Sequence, residues 1–156
     1  MSPDDFSIAL RIRHPSIDPT EITRKLAIEP QHAWRAGEPR HVDDDSGSSL
    51  HRETYWVGLL PPPLAGPAPW SQRVEENLRR SAALPQASLY FTLLNMKRSA
   101  RFWREFADQG GTVECLIQVH KADRFQLDLS QALLLALVEL RITLSIEVEG
   151  ALRAAA

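Results

Sequence analysis

The sequence predicts an α+β domain: a mostly antiparallel four-stranded sheet with its helices on one face, built as two strand–helix–strand halves in a ferredoxin-like arrangement. Three observations lead there. Three segments alternate apolar and polar residues with the period of a half-buried strand. An Asp-headed helix start follows the first and the second of them. The 156 residues, 44% hydrophobic and 24% charged, make one globular domain of ordinary composition. The whole chain, 1–156, is therefore read as a single unit.

The first strand covers residues 6–13, where Phe6, Ile8, Leu10 and Ile12 alternate with Ser7, Ala9, Arg11 and Arg13. A short helix follows at once. Asp18 is its N-cap, Pro19 its first residue, and Glu21 stands where a capping box wants an acid. Ile17 and Ile22 are placed for a hydrophobic staple, Ile22 and Leu26 share one face, and Glu29-Pro30 ends the helix. Residues 41–52, with Asp43-Asp44-Asp45-Ser46-Gly47-Ser48-Ser49, are too polar to bury and are expected to form a mobile loop. Residues 53–60 close the first half as a strand. Five of the eleven prolines fall in 61–69, a stiff connector.

Residues 71–83 read as a helix with Val74 and Leu78 inward, and Pro85 interrupts it. Most of 86–109 reads as helix, although 88–94 also suits a strand. Phe102, Trp103 and Phe106 share a side there, and Gly110-Gly111 is the stop. Val113, Cys115, Ile117 and Val119 mark the third strand, and Ile142, Leu144, Ile146 and Val148 the fourth. Between them Asp128 caps a helix over 129–140 that is apolar nearly all round, with Ser130, Gln131 and Glu139 its only polar residues. Such a helix needs cover on more than one side. The Phe102/Trp103/Phe106 helix is the expected internal cover, and a second protein the alternative, with Leu134, Leu137 and Val138 as its interface.

The formal charge of −2 argues against bulk nucleic acid or an anionic membrane as a partner. The longest apolar run, 132–138, is far short of a bilayer span. The N-terminus is acidic and lacks the apolar stretch of a secretory signal. A cytoplasmic protein is expected. One cysteine, Cys115, excludes an internal disulfide and any multi-cysteine metal site.

Chemistry-bearing candidates are few. Trp34-Arg35-Ala36-Gly37-Glu38 offers an indole face and a guanidinium for a planar or anionic ligand, with Gly37 letting the backbone approach. The plainer alternative is that Trp34 caps the core edge and Arg35 pairs with a carboxylate, because Trp is usually highly buried. Trp56 and Trp70 carry the same ambiguity. His32, His41 and His51, with Asp43–Asp45 and Glu53 nearby, are legal metal ligands, but nine- and ten-residue spacings are too loose for a structural site. His14 and His120 end strands and are expected at solvated edges. Cys115 is expected to be buried and inert. No phosphate loop, nucleophile elbow or zinc-protease motif occurs, so no catalytic residue, metal or cofactor is predicted.

Ile17-Asp18-Pro19-Thr20-Glu21-Ile22, Leu26, Pro30 and above all Trp34-Arg35-x-Gly37-Glu38, with Trp56 and the closing strand–helix–strand, resemble the bacterial family DUF4279, a domain of unknown function. The resemblance covers about 6–148. It implies a compact α+β domain and supplies no catalytic residues. Some small acidic bacterial domains of this kind resemble immunity proteins that neutralise toxins.

Two functions are carried forward. The first is a non-catalytic protein-interaction module, including self-association and toxin neutralisation. The second is a small-molecule binder or enzyme using Trp34, Arg35, Glu38 and Trp56. An RNA-binding sheet ranks last, because the outer strands lack aromatic residues on the free face.

Overall fold

A computed structural model describes residues 6–40, 49–60, 85–120 and 125–149. The proline-rich connector at 61–69, the helix expected at 71–83 and residues 41–48 of the polar loop lie outside the described residues.

Strand β1, Phe6–His14, runs through the middle of the sheet. Helix α1, Pro19–Leu26, follows after a four-residue gap filled by its own cap. The Asp18 carboxylate accepts from the Thr20 backbone N–H at 2.9 Å and the Thr20 hydroxyl at 2.7 Å. The reciprocal box with Glu21 expected from the sequence is replaced by this Asp18–Thr20 pair, and the Glu21 N–H bonds the Asp18 carbonyl instead. The helix stops before Glu29-Pro30, because Ala27 turns left-handed at φ 54° and returns its N–H to the Thr23 carbonyl.

Eight residues of helix travel about 12 Å, the rise of about three or four strand residues. The chain therefore regains only the last rungs of β1. There it forms β2, His32–Trp34, a strand the sequence reading missed. Strand β3, Thr54–Leu59, then inserts between β1 and β2, antiparallel to both. Helix α2, Pro85–Lys97, and helix α3, Ala100–Asp108, are separated at Arg98-Ser99. Gly110, at φ 92°, and Gly111 close α3 by donating to the Ala107 and Phe106 carbonyls, the paired bonds of a Schellman end.

Strand β4, Thr112–Val119, pairs antiparallel with β1, and β5, Ile142–Val148, pairs parallel with β4. The sheet is thus mixed and five-stranded, in the order β2-β3-β1-β4-β5, not the four-stranded antiparallel, ferredoxin-like sheet expected. The parallel step follows from the long return between β4 and helix α4, Gln131–Glu139. Phe125, Leu127 and Leu129 pack partly on the core and alternate with exposed residues. This extended stretch delays the helix, so its cap is Ser130, accepting from the Leu133 N–H at 3.2 Å, and not Asp128.

One face of the sheet meets all four described helices. Ile8, Leu10 and Ile12 of β1, Trp56 of β3 and Val113, Cys115, Ile117 and Val119 of β4 join Ile22, Leu93, Phe106 and Leu137 from the helices in one core. His14 belongs to it too, and is not at a solvated edge. Its Nδ1 accepts the Ser16 and Ile17 backbone N–H groups at 3.1 and 2.9 Å, which leaves Nε2 to donate to Gln109 Oε1 at 3.1 Å.

The other face carries the alternate residues. Near its centre, Glu114 accepts from Arg11 at 3.0 Å and from the Ser145 hydroxyl at 2.5 Å. These bonds, led by the one from Ser145, hold the Glu114 carboxyl below its ordinary value. Arg11, Glu114, Gln118 and Ser145 are half-buried there, and Ala9 and Leu116 are buried. His120 bonds Ser7 at 3.0 Å and faces Glu149 at 3.5 Å.

Candidate functional site

The site grows from a bent hairpin. His32, Ala33 and Trp34 pair with Val57, Trp56 and Tyr55, and the same sum of residue numbers continues into the Pro39–Leu50 bridge. Between these regular stretches sits the Trp34–Glu38 motif. The Glu38 N–H bonds the Arg35 carbonyl at 3.1 Å, and Gly37 has φ 87°. That is the signature of a type II turn, which calls for Gly at its third position. The Glu38 carboxylate accepts from the Arg35 N–H at 3.0 Å, and the Ala36 N–H bonds the Thr54 hydroxyl at 3.1 Å. Thr54 is fully buried and itself donates to the Ile17 carbonyl at 2.6 Å. Glycine is needed here for its backbone, and no ligand approach has to be invoked.

The turn brings the far arm of the hairpin to Trp34. The His51 ring stacks on Trp34 with centroids 4.6 Å apart, and Tyr55 stacks on it at 4.5 Å. The Arg13 guanidinium lies 5.7 Å from the Tyr55 ring centre, within cation–π range. These residues, with Arg40, Arg52 and Glu53, line a cleft of about 550 Å³ on the face opposite the helices. Three arginines and one glutamate give the lining a formal charge of +2, against −2 for the whole chain. Glu53 stands 3.9 Å from Arg13. The cleft therefore offers a π surface, several cationic donors and one anionic acceptor.

The sequence-nominated residues part company here. Trp34 lines the cleft and is half-buried; it neither caps the core edge nor enters the core. Trp56 is one register step away and points to the other face. It is fully buried, with its indole N–H donating to Thr23 Oγ1 at 3.0 Å, so it leaves the site. Arg35 faces Asp18 at 3.6 Å, and Glu38 holds the turn. Both act as structural residues and do not line the cleft. Trp70 and His41 lie outside the described residues.

Sequence reasoning missed Arg13, Arg40, Arg52 and Tyr55 as lining residues, and weighed His51 and Glu53 only as metal ligands. Arg13 carried a usable signal: it alternates with Ile8, Leu10 and Ile12 along its strand and so faces away from the core. Among the described residues no group of three or more His, Cys, Asp or Glu side chains is arranged to hold a metal ion. Cys115 is buried on the core face, and desolvation pushes its thiol up to about 12.

A family profile for a domain of unknown function, DUF4279, matches residues 4–150. The chain belongs to the DUF4279 family. No curated protein and no solved structure matches it. In this DUF4279 domain the Trp34–Glu38 segment combines two tasks: Trp34 contributes to the cleft, and Arg35 to Glu38 bend the hairpin beside it.

The second nominated surface is on α4. Leu137 is buried in the core, which removes it from any interface, whereas Leu134 and Val138 are 44% and 73% exposed. Leu135 on α4 and Ile146 and Val148 on the edge strand β5 are exposed as well. The Lys97–Glu139 ion pair at 3.2 Å fixes the ends of α2 and α4 together. The internal cover of α4 is chiefly α2 and the sheet, not the Phe102/Trp103/Phe106 helix expected, and Leu134, Leu135 and Val138 are left outward. No helix among the described residues is long and apolar enough to cross a membrane.

Proposed function

We propose that this DUF4279 protein is a non-catalytic binding module whose open-face cleft takes a planar, anionic small molecule. The observation that carries the reading is the contact of Trp34 with His51 and Tyr55 inside a lining of net charge +2. Aromatic faces and guanidinium groups favour flat ligands and anions respectively. The polar groups of the cleft bind and orient, and none is the activated nucleophile of a covalent mechanism. A bacterial, cytoplasmic setting is part of the same proposal, and the scarcity of cysteine, with Cys115 the only one, supports it.

A thermal-shift screen of planar anions tests this. Hits are expected to raise the midpoint of the native chain and to lose that effect in Trp34→Leu and Arg52→Gln. Hits that persist in both variants overturn the site.

A second reading is protein interaction, self-association and immunity-like toxin neutralisation included. Leu134, Leu135 and Val138 exposed on one short helix favour it, since monomers rarely expose contiguous apolar patches. It commits first to a second copy of the chain. Sedimentation at high concentration should then show a dimer that Val138→Glu abolishes, and a strict monomer removes that version.

A further inference from the structure

The cleft contains one group that a simple anion site does not want. Glu53 stands among Arg13, Arg40 and Arg52 and sits 3.9 Å from Arg13. A carboxylate in the lining repels a ligand that is anionic throughout. It suits a ligand that presents hydroxyl or amine donors at one end and negative charge at another. Tyr55 and His51 stack on opposite faces of Trp34 and Arg13 lies over Tyr55, which leaves the outer face of His51 and the ring edges for a flat heterocycle. A volume of about 550 Å³ is in the range of sites that enclose drug-sized ligands. The chain's overall charge of −2 disfavours a polymer, whose affinity comes from neutralising many phosphates at once.

From this combination we infer that the cleft takes a nucleoside monophosphate. The base lies against the outer face of His51, the phosphate against Arg40 and Arg52, and the sugar or exocyclic donors against Glu53. The inference rests on the reading of the cleft as a ligand site. Arg52 and Glu53 are exposed, so their substitution leaves the core intact.

Calorimetry with the full chain tests it, using adenosine and uridine 5′-monophosphates, adenosine, inorganic phosphate, 2-naphthalenesulfonate and a short single-stranded oligoadenylate. At least one monophosphate should bind about tenfold or more tighter than adenosine or phosphate alone, a difference of about 1.4 kcal/mol. Arg52→Gln should bring it down to the level of the nucleoside. Glu53→Gln should weaken monophosphate and nucleoside alike without weakening phosphate. Phosphate binding as tightly as the monophosphates overturns the inference, as does an oligonucleotide binding more than tenfold tighter. Binding of naphthalenesulfonate without either monophosphate overturns the ligand class and keeps the cleft as a site. Binding of no probe overturns both.

Discussion

Trp34 and Trp56 stand on neighbouring strands one register step apart, and that step separates two kinds of chemistry. Trp56 pairs with Ala33 and enters the core, where Thr23 satisfies its only polar atom. Trp34 pairs with Tyr55 and lies on the opposite face, against aromatic rings and near arginines. Side chains alternate along a strand, so neighbours in sequence have opposite fates. The core face is mainly apolar: aliphatic and aromatic side chains meet four described helices, and the buried His14 and Thr54 are hydrogen-bonded. The open face is divided into a cationic, aromatic end at β2–β3 and a polar, hydrogen-bonded centre at Arg11, Glu114 and Ser145.

The largest expected effect is at the buried indole. Trp56→Ala should cost about 3–5 kcal/mol in urea unfolding, as for other large core truncations. Trp34→Ala removes two ring contacts at about 0.5–1.5 kcal/mol each and should cost clearly less. Equal losses would erase the contrast between the faces. Next come two glycines. A Cβ at Gly58 would stand 2.6 Å from the Trp56 ring, so Gly58→Ala should destabilise by about 1–3 kcal/mol through overpacking. At Gly37 nothing lies within 4 Å. Only its left-handed backbone opposes a side chain, and Gly37→Ala should cost about 1–2 kcal/mol.

A smaller effect belongs to the polar centre. The Glu114 carboxyl is held below 4.5 by Ser145 first and then Arg11. Its contribution is present above that ordinary value and is lost as pH falls through the lowered folded value. Unfolding midpoints should therefore fall more steeply in acid for the native chain than for Glu114→Gln; parallel profiles would remove Glu114 from the account. The smallest effect is chemical. Cys115, raised to about 12 by burial, should resist a thiol reagent at pH 8 in the folded chain and react once urea unfolds it.

Much of this was legible in the sequence, for a physical reason: period two reports burial. Residues 6–13, 113–120 and 142–149 alternate over many residues, and all three contain strands, as does the apolar run at 53–60. His32-Ala33-Trp34 is too short to show a period, so the fifth strand was missed. Periodicity also carries no direction, which is why the parallel β4–β5 pair was not foreseen. Asp128 looked like the better cap because Gln131 follows three residues later, but burying Leu129 keeps the chain extended until Ser130. In the site, alternation says that Tyr55 and Trp56 face opposite ways without saying which is inside. The bend that brings His51 onto Trp34 depends on the turn at Gly37 and on pairing across the hairpin, which no local pattern displays.

Fluorine NMR of the chain labelled with 5-fluorotryptophan bears most directly on the division between the faces. Trp34→Phe and Trp56→Phe assign the two signals. Adding the ligand that calorimetry selects should move the Trp34 resonance, which should also show a solvent isotope shift, and leave Trp56 unmoved on both counts. A Trp56 signal that responds to ligand while Trp34 stays still would contradict the account.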